Sequence, residues 1–297
     1  MPKRKDELAI AQVMSERSQS HDTRKKLFLD IERKLDRPVV TLFTSFRYPV
    51  MLEDTDVDML AGVLQAMDLS KGMALIVNSP GGDGLAAERM ISVCRTYSRT
   101  GEYWAIVPGK AKSAATMVCF GSSKIFMGPS SELGPVDPQV SLPKGNTVEI
   151  FSVFNIIESY NDLFQKAVKA QGNLEPYLQQ LANYDAREIK EFESALELSK
   201  DISIRALKTG MMGRLSNKVI ENKIKMFLTP KSTKTHGRPI YRDEALDCSL
   251  NIEKIGVQDD LWRLVYELYI RTNEFVSTQV SKCIESKDNS FVVPAEA

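Results

Sequence analysis

The stretch MALIVNSPGGDG at residues 73–84 decides the fold. Its first five residues are apolar, as in a strand that is buried on both faces of a sheet. Two adjacent glycines, Gly81 and Gly82, follow Pro80 at the end of this run, and apolar residues at helical spacing follow over residues 86–97. The pattern predicts a buried strand, a glycine turn and a core-facing helix.

The same unit occurs again directly afterwards. Residues 103–108 form an apolar run, residues 109–113 a turn of small and basic residues, and residues 114–120 an apolar helical segment. Similar apolar runs at 38–44 and 124–127 predict further strands. Alternating strands and helices indicate an α/β fold with a parallel-rich sheet and flanking helices.

Both turns contain groups that are suited to catalysis. Glycine backbone at Gly82 can approach a ligand closely, and free N–H groups near a helix start suit an oxyanion or a phosphate. Ser113 stands at the mouth of the second helix. The alternatives are a plain tight turn at Gly82 and a helix N-cap at Ser113. The first turn matches neither a Walker loop nor GxGxxG.

Taken together, the two turns resemble those of the ClpP-like serine peptidases, which have the ClpP/crotonase fold. The resemblance implies that Ser113 is the nucleophile and that the Gly82 and Ala114 amides form the oxyanion hole. It also implies that substrate is bound by the following residues: Gly81, Gly82, Gly134 and Pro135.

The sequence is more closely similar to the serine dehydrogenase proteinase family, which is related to signal peptide peptidase A. Besides the two turns, LGPVDPQ at 133–139 and THGRPI at 235–240 are similar to stretches of that family. The resemblance covers residues 24–257. It does not explain the arm before this range or the tail after it.

A serine nucleophile also needs a general base, a neighbouring group that accepts the proton of its hydroxyl. Residues 130–138 contain no histidine, which excludes the chain order of the ClpP triad. Relatives of signal peptide peptidase A use a lysine well downstream of the serine, and this resemblance implies Lys166. Lys169 and His236 are the alternatives, whereas His21 lies in the charged arm.

Composition limits the other possibilities. Basic and acidic residues balance at 39 each, which argues against nucleic-acid binding. No run of 18 apolar residues predicts a membrane span, and four scattered cysteines favour a reducing cytoplasm over a disulfide framework or a zinc site. We expect three parts: an exposed helical arm (1–36), a peptidase domain (37–257) and a helical tail with a disordered end (258–297).

These observations favour an endopeptidase with a Ser-Lys dyad and a backbone oxyanion hole, acting on a protein or peptide without a metal or an organic cofactor. A catalytically silent scaffold that binds peptides or mediates assembly is the alternative. Acyl-CoA chemistry of the crotonase type is disfavoured, because crotonases use no turn serine. We also expect a homo-oligomer, assembled through the helical stretch after Glu149 and the tail near Trp262.

Overall fold

A computed structural model describes residues 20–48, 50–145 and 147–295. The strands in this part of the chain are β1 (Val39–Thr44), β2 (Met73–Asn78), β3 (Tyr103–Val107), β4 (Lys110–Ala111), β5 (Lys124–Met127), β6 (Glu132–Leu133), β7 (Gln139–Lys144), β8 (Thr147–Ser152), β9 (Ile240–Tyr241), β10 (Ile252–Lys254), β11 (Val280–Glu285) and β12 (Ser290–Pro294).

The helices connect these strands and cover the sheet. They are α1 (His21–Leu35), α2 (Asp54–Gln65), α3 (Gly84–Tyr97), α4 (Ala114–Phe120), α5 (Val153–Lys169), α6 (Glu175–Leu181), α7 (Ala186–Thr209), α8 (Asn217–Lys223), α9 (Lys225–Leu228), α10 (Pro230–Thr233), α11 (Arg242–Asp247) and α12 (Asp260–Thr278).

The main sheet has the strand order β10-β5-β3-β2-β1-β11-β12. The first five of these strands are parallel, and β11 and β12 are added antiparallel at the β1 edge. Residues of β1 and β2 are buried throughout, as expected of parallel strands covered on both faces. The predicted parallel-rich α/β fold is confirmed.

Two apolar cores lie on opposite faces of this sheet. One joins alternate strand residues to α2, α3, α4 and α7. The other joins the remaining strand residues to α1 and α12. The helices therefore cover both faces of the sheet, and the turns that join strands to helices lie at its edge.

Two smaller sheets lie beside the main one. The first has the order β4-β6-β9, in which β4 and β6 are parallel and β9 is antiparallel to β6. The second is the β7–β8 hairpin, from which α5 continues directly. Strand β4 of the first sheet lies within the turn predicted at 109–113.

The N-terminal segment differs from the exposed arm that the sequence predicted. Helix α1 buries Phe28 and Ile31 against α12. It also buries Arg24, whose guanidinium forms hydrogen bonds of 2.7 and 2.6 Å to the Glu285 carboxylate. The exposed-arm prediction is therefore wrong for this helix, because its charged residue has a buried partner. Residues 1–19 of the predicted arm lie outside the described residues.

The C-terminal tail differs as well. Its helix α12 is present as predicted, but 280–285 form a strand of the main sheet in place of further helical tail, and 290–294 form another in place of a disordered end. All six residues of β11 are buried, including Lys282 and Glu285, whose charges are paired. The prediction of a disordered end is therefore wrong for 290–294 and that of a helical tail for 280–285, while the three domain boundaries themselves stay a prediction.

In the three described ranges, no helix has both the length and the apolar character that are needed to cross a bilayer.

Candidate active site

Ser113 occupies a strained turn between β4 and α4. Its backbone has φ 49° and ψ −122°, a conformation that residues with a side chain rarely adopt and that costs about 1–3 kcal/mol. Its side chain is half-buried and makes no capping hydrogen bond to the helix. The N-cap alternative is thereby contradicted, and a strained strand-to-helix turn is the arrangement that exposes the nucleophile in α/β hydrolases.

The glycine turn lies directly against this serine. Gly81 has φ +99°, and a Cβ atom placed on it would lie 2.5 Å from the Lys112 carbonyl oxygen and 2.7 Å from the Ser113 Cβ. It would also lie 3.0 Å from the Ala114 nitrogen. The two turns that the sequence singled out are therefore in contact, and only glycine fits between them.

Two backbone amides stand free beside the serine. Neither the Gly82 nor the Ala114 N–H donates a hydrogen bond to another residue of the described ranges. The Ala114 amide belongs to the first turn of α4, where N–H groups have no partner within the helix. An oxyanion hole formed by these two amides stays a prediction.

The β4-β6-β9 sheet brings two further side chains to the end of the sheet where Ser113 lies. Ala111 pairs with Leu133, and Leu133 pairs with Ile240. Because β9 is antiparallel to β6, the chain beyond Leu133 and the chain before Ile240 extend toward the same end as Ser113. Asp137 and His236 lie on these two segments.

Asp137 and His236 form a partly buried hydrogen-bonded pair. The His236 Nδ1 atom lies 2.9 Å from the Asp137 carboxylate, whose side chain has no exposed surface. The Ser152 hydroxyl donates a second hydrogen bond of 2.9 Å to the same carboxylate. A neutral imidazole with its proton on Nδ1 leaves Nε2 as an acceptor. Sequence reasoning named His236 but missed the partner, although Asp137 lies in the family-like stretch 133–139.

Lys166, the base implied by the resemblance, lies in a different environment. Its side chain is 56% exposed and forms an ion pair of 2.6 Å with Asp162, one turn earlier on α5. This hydrogen bond to Asp162 raises the pKa of Lys166, whereas a lysine base needs burial that lowers it. The expected desolvated lysine is therefore corrected: Lys166 is a solvated charge, and Lys169 on the same helix is exposed too.

Lys112, next to the nucleophile, is a residue that sequence reasoning missed. Its ammonium group lies 2.8 Å from the Glu132 carboxylate and 3.2 Å from the Leu133 carbonyl oxygen. Burial lowers the pKa of Lys112, against the opposing effect of Glu132. Its side chain covers Gly134, where an added Cβ would lie 2.5 Å from the Lys112 Cδ. Lys112 thus links the turn that contains Ser113 to β6.

Gly134 and Pro135, which the resemblance implies as substrate contacts, are both buried. The Thr116 hydroxyl lies 3.1 Å from both the Gly134 nitrogen and the Gly134 carbonyl oxygen. These contacts pack the segment beneath α4. A substrate-binding role for Gly134 and Pro135 stays a prediction.

Two of the solved structures that match this chain are structures of the 1510-N membrane-bound stomatin-specific protease. A Ser-to-Ala mutant of that protease matches with a TM-score of 0.31 and 17% identity, over 71% of this chain and 94% of that one. A Lys-to-Ala mutant in complex with a substrate peptide matches with a TM-score of 0.29 and 18% identity, over 75% and 94%. These scores are too low to support an inference about mechanism.

Sequence comparisons reach further. An uncharacterised protein of Methanocaldococcus jannaschii is 29% identical over 125 residues, which are 39% of this chain and 43% of the relative. The match thus spans less than half of that protein. The sequence pattern of the ClpP-like SDH-type serine proteinases matches residues 10–162, just over half of the chain and including both turns. The chain therefore belongs to the family of ClpP-like SDH-type serine proteinases.

Proposed function

We propose that this chain is a serine peptidase that hydrolyses peptide bonds with Ser113 as its nucleophile. The observation that carries the proposal is the positive-φ conformation of Ser113, held against Gly81 with two free amides alongside. A strained backbone is retained where the surrounding structure and the function require it.

In the proposed acylation step, the Ser113 hydroxyl attacks the peptide carbonyl carbon and loses its proton to a base. The carbonyl oxygen becomes an oxyanion that accepts hydrogen bonds from the Gly82 and Ala114 amides. The base, once protonated, gives its proton to the leaving amine, and the amine departs. Water then attacks the acyl-enzyme and loses a proton to the base. The base returns this proton to the Ser113 oxygen as the carboxylic acid product leaves.

We propose His236 as that base, in place of Lys166. Its pairing with the buried Asp137 supports this assignment, because a carboxylate on Nδ1 orients the ring and stabilises the imidazolium that forms. Nε2 is then the atom that accepts the Ser113 proton. No hydrogen bond joins the Ser113 hydroxyl to another residue within the described ranges. Such contacts often form only when substrate is bound.

A fluorophosphonate probe tests the proposal, because it labels only an activated serine. We expect covalent labelling of the wild-type chain, loss of labelling in Ser113→Ala, and full labelling in Ser70→Ala, which changes an exposed serine remote in sequence from the turns. A wild-type chain that is folded yet inert to the probe would favour the peptide-binding scaffold instead.

We also propose a homo-oligomer. Large apolar side chains are exposed on the β7–β8 hairpin and on α5, among them Val148 (67%), Ile150 (65%) and Val168 (66%). Helix α5 buries only Val153, so most of its apolar face has no cover within the described chain. Apolar surfaces of this kind mark protein interfaces, and a second copy is the partner we propose. Light scattering that gives the monomer mass at every concentration would contradict the proposal.

A cytoplasmic location is proposed as well. The four cysteines are buried and free, as expected in a reducing compartment. Fractionation of the source cells would test this location.

A further inference from the structure

The glycine turn is braced by a segment that the family resemblance does not single out. The Leu52 N–H donates a hydrogen bond of 2.8 Å to the Gly81 carbonyl oxygen. The Leu52 carbonyl oxygen accepts one of 2.8 Å from the Asp83 N–H. These two bonds flank Gly82 on either side, so the backbone of Leu52 fixes the direction in which the Gly82 amide points.

Leu52 is itself held by the start of α2. The Glu53 N–H donates to the Asp56 carboxylate over 2.9 Å, and the Asp56 N–H donates to the Glu53 side chain. This reciprocal pair is a capping box, which fixes how the chain enters a helix. The position of Leu52 therefore depends on the carboxylate of Asp56.

Asp56 is buried, and Lys282 is its counter-ion. The Lys282 ammonium group lies 2.9 Å from the Asp56 carboxylate, and their side chains are only 4% and 1% exposed. Lys282 also binds the carboxylate of Glu53. Burial raises the pKa of Asp56, while Lys282 acts in the opposite direction and favours the charged form. Without Lys282, the buried carboxylate of Asp56 would lose its counter-ion.

Lys282 comes from the C-terminal strand β11. The same strand holds the other end of the Leu52 segment, because the Ser281 carbonyl oxygen accepts a hydrogen bond of 2.9 Å from the Ser45 N–H. Both ends of residues 45–56 are therefore fastened to β11. This strand lies far outside the matched range 10–162.

We propose that Lys282 is a positioning residue for the oxyanion site, acting through Asp56 and Leu52 on the Gly82 amide. The proposal rests on the peptidase function proposed above. Oxyanion donors must be held within about 0.5 Å of their productive position. Lys282 contacts neither the serine nor its free amides in this arrangement, so it acts by keeping the glycine turn in place.

The test is Lys282→Met, which keeps the length of the side chain and removes its charge. We expect kcat to fall about tenfold or more, because a displaced oxyanion donor loses part of its effect. KM should stay near the wild-type value. Affinity for a peptide aldehyde, which forms a tetrahedral oxyanion on the enzyme, should fall in parallel with kcat, while affinity for a product peptide should not.

Two variants on the same hairpin serve as controls. Lys287→Met changes a lysine whose pairing with Asp288 is solvent-exposed, and it should keep wild-type kcat. Lys282→Arg keeps the charge and should restore most of the lost kcat. A merely structural role would lower the amount of folded protein but would not separate kcat from KM.

The single variant leaves Asp56 buried without a cation, which can prevent folding. A double variant, Lys282→Met with Asp56→Asn, removes both charges and should show the same loss of kcat. A folded variant of either kind with wild-type kcat would overturn the inference while leaving the peptidase proposal intact. A wild-type chain that neither reacts with the probe nor cuts peptides contradicts the proposed function, and the inference falls with it.

Discussion

The two halves of the dyad implied by the sequence lie in regions that differ in almost every physical respect. Around Ser113, residues are closely packed, and a methyl group added to Gly81 would overlap its neighbours. Around Lys166, by contrast, Phe164 and Val168 are exposed, and a Cβ atom placed on Gly172 would have no neighbour within 4 Å. Catalytic groups require a fixed and partly desolvated environment, so the difference supports our proposal of a base in the packed region.

The largest expected effect comes from placing the same methyl group in each region. Gly82→Ala should prevent normal folding and abolish hydrolysis, because the new Cβ would lie 2.3 Å from the Leu52 carbonyl oxygen at φ +155°. Gly172→Ala should leave folding and activity unchanged. Thermal unfolding by circular dichroism, together with peptide hydrolysis, measures both. If both variants fold and hydrolyse peptides equally well, the proposed difference between the two regions is wrong.

Removing the nucleophile should abolish activity and leave the fold intact. Ser113→Ala takes away one hydroxyl that makes no hydrogen bond within the described residues, so the unfolding temperature should hardly move. Peptide hydrolysis should fall by at least about 10³-fold, as is usual when a nucleophilic serine is lost. Turnover at the wild-type rate would show that another group attacks the substrate.

The choice of base is tested by one substitution in each region. His236→Gln should lower kcat by about 10²–10⁴-fold, the usual range for a general base. Lys166→Gln removes an exposed charge and should leave kcat unchanged. Steady-state kinetics on the two purified variants decides between them. The opposite result would restore the lysine mechanism and require α5 to move toward Ser113.

The smallest effect on catalysis is expected from the exposed face of α5. Phe164→Glu combined with Val168→Glu places two charges on the proposed interface and should convert the oligomer to monomers. Activity per chain should change little, because each of the proposed catalytic residues lies within one chain. Light scattering measures the mass. A variant that keeps the wild-type mass would show that the interface lies elsewhere. The matched control is Leu174→Glu with Leu178→Glu in the neighbouring α6 region.

The parts of the fold that follow from local pattern could be predicted from the sequence. Apolar runs such as 73–77 identify buried strands, and two small-residue turns after such strands identify the region of Ser113 and Gly82. These signals need only neighbouring residues. The contact between Gly81 and Ser113 then follows from the parallel order of the strands.

Long-range partners could not be predicted in the same way. His236 and Asp137 are 99 residues apart, and their pairing depends on the antiparallel register of β6 and β9, which are two-residue strands without a sequence signature. Likewise, β11 contains Lys282 and Glu285 among apolar residues, and such charges usually indicate exposure. They are buried here because their partners, Asp56 and Arg24, arrive from distant segments.

The buried pair of Arg24 and Glu285 has a consequence for biosynthesis. The two residues lie 261 positions apart, so the ribosome makes Arg24 long before Glu285. Until β11 emerges from the ribosome, the β1 edge that pairs with it is open and the ion pair between Arg24 and Glu285 cannot form. The segment that braces the glycine turn also waits for β11. We therefore expect a nascent chain that lacks β11 to leave its proposed catalytic turn without this brace.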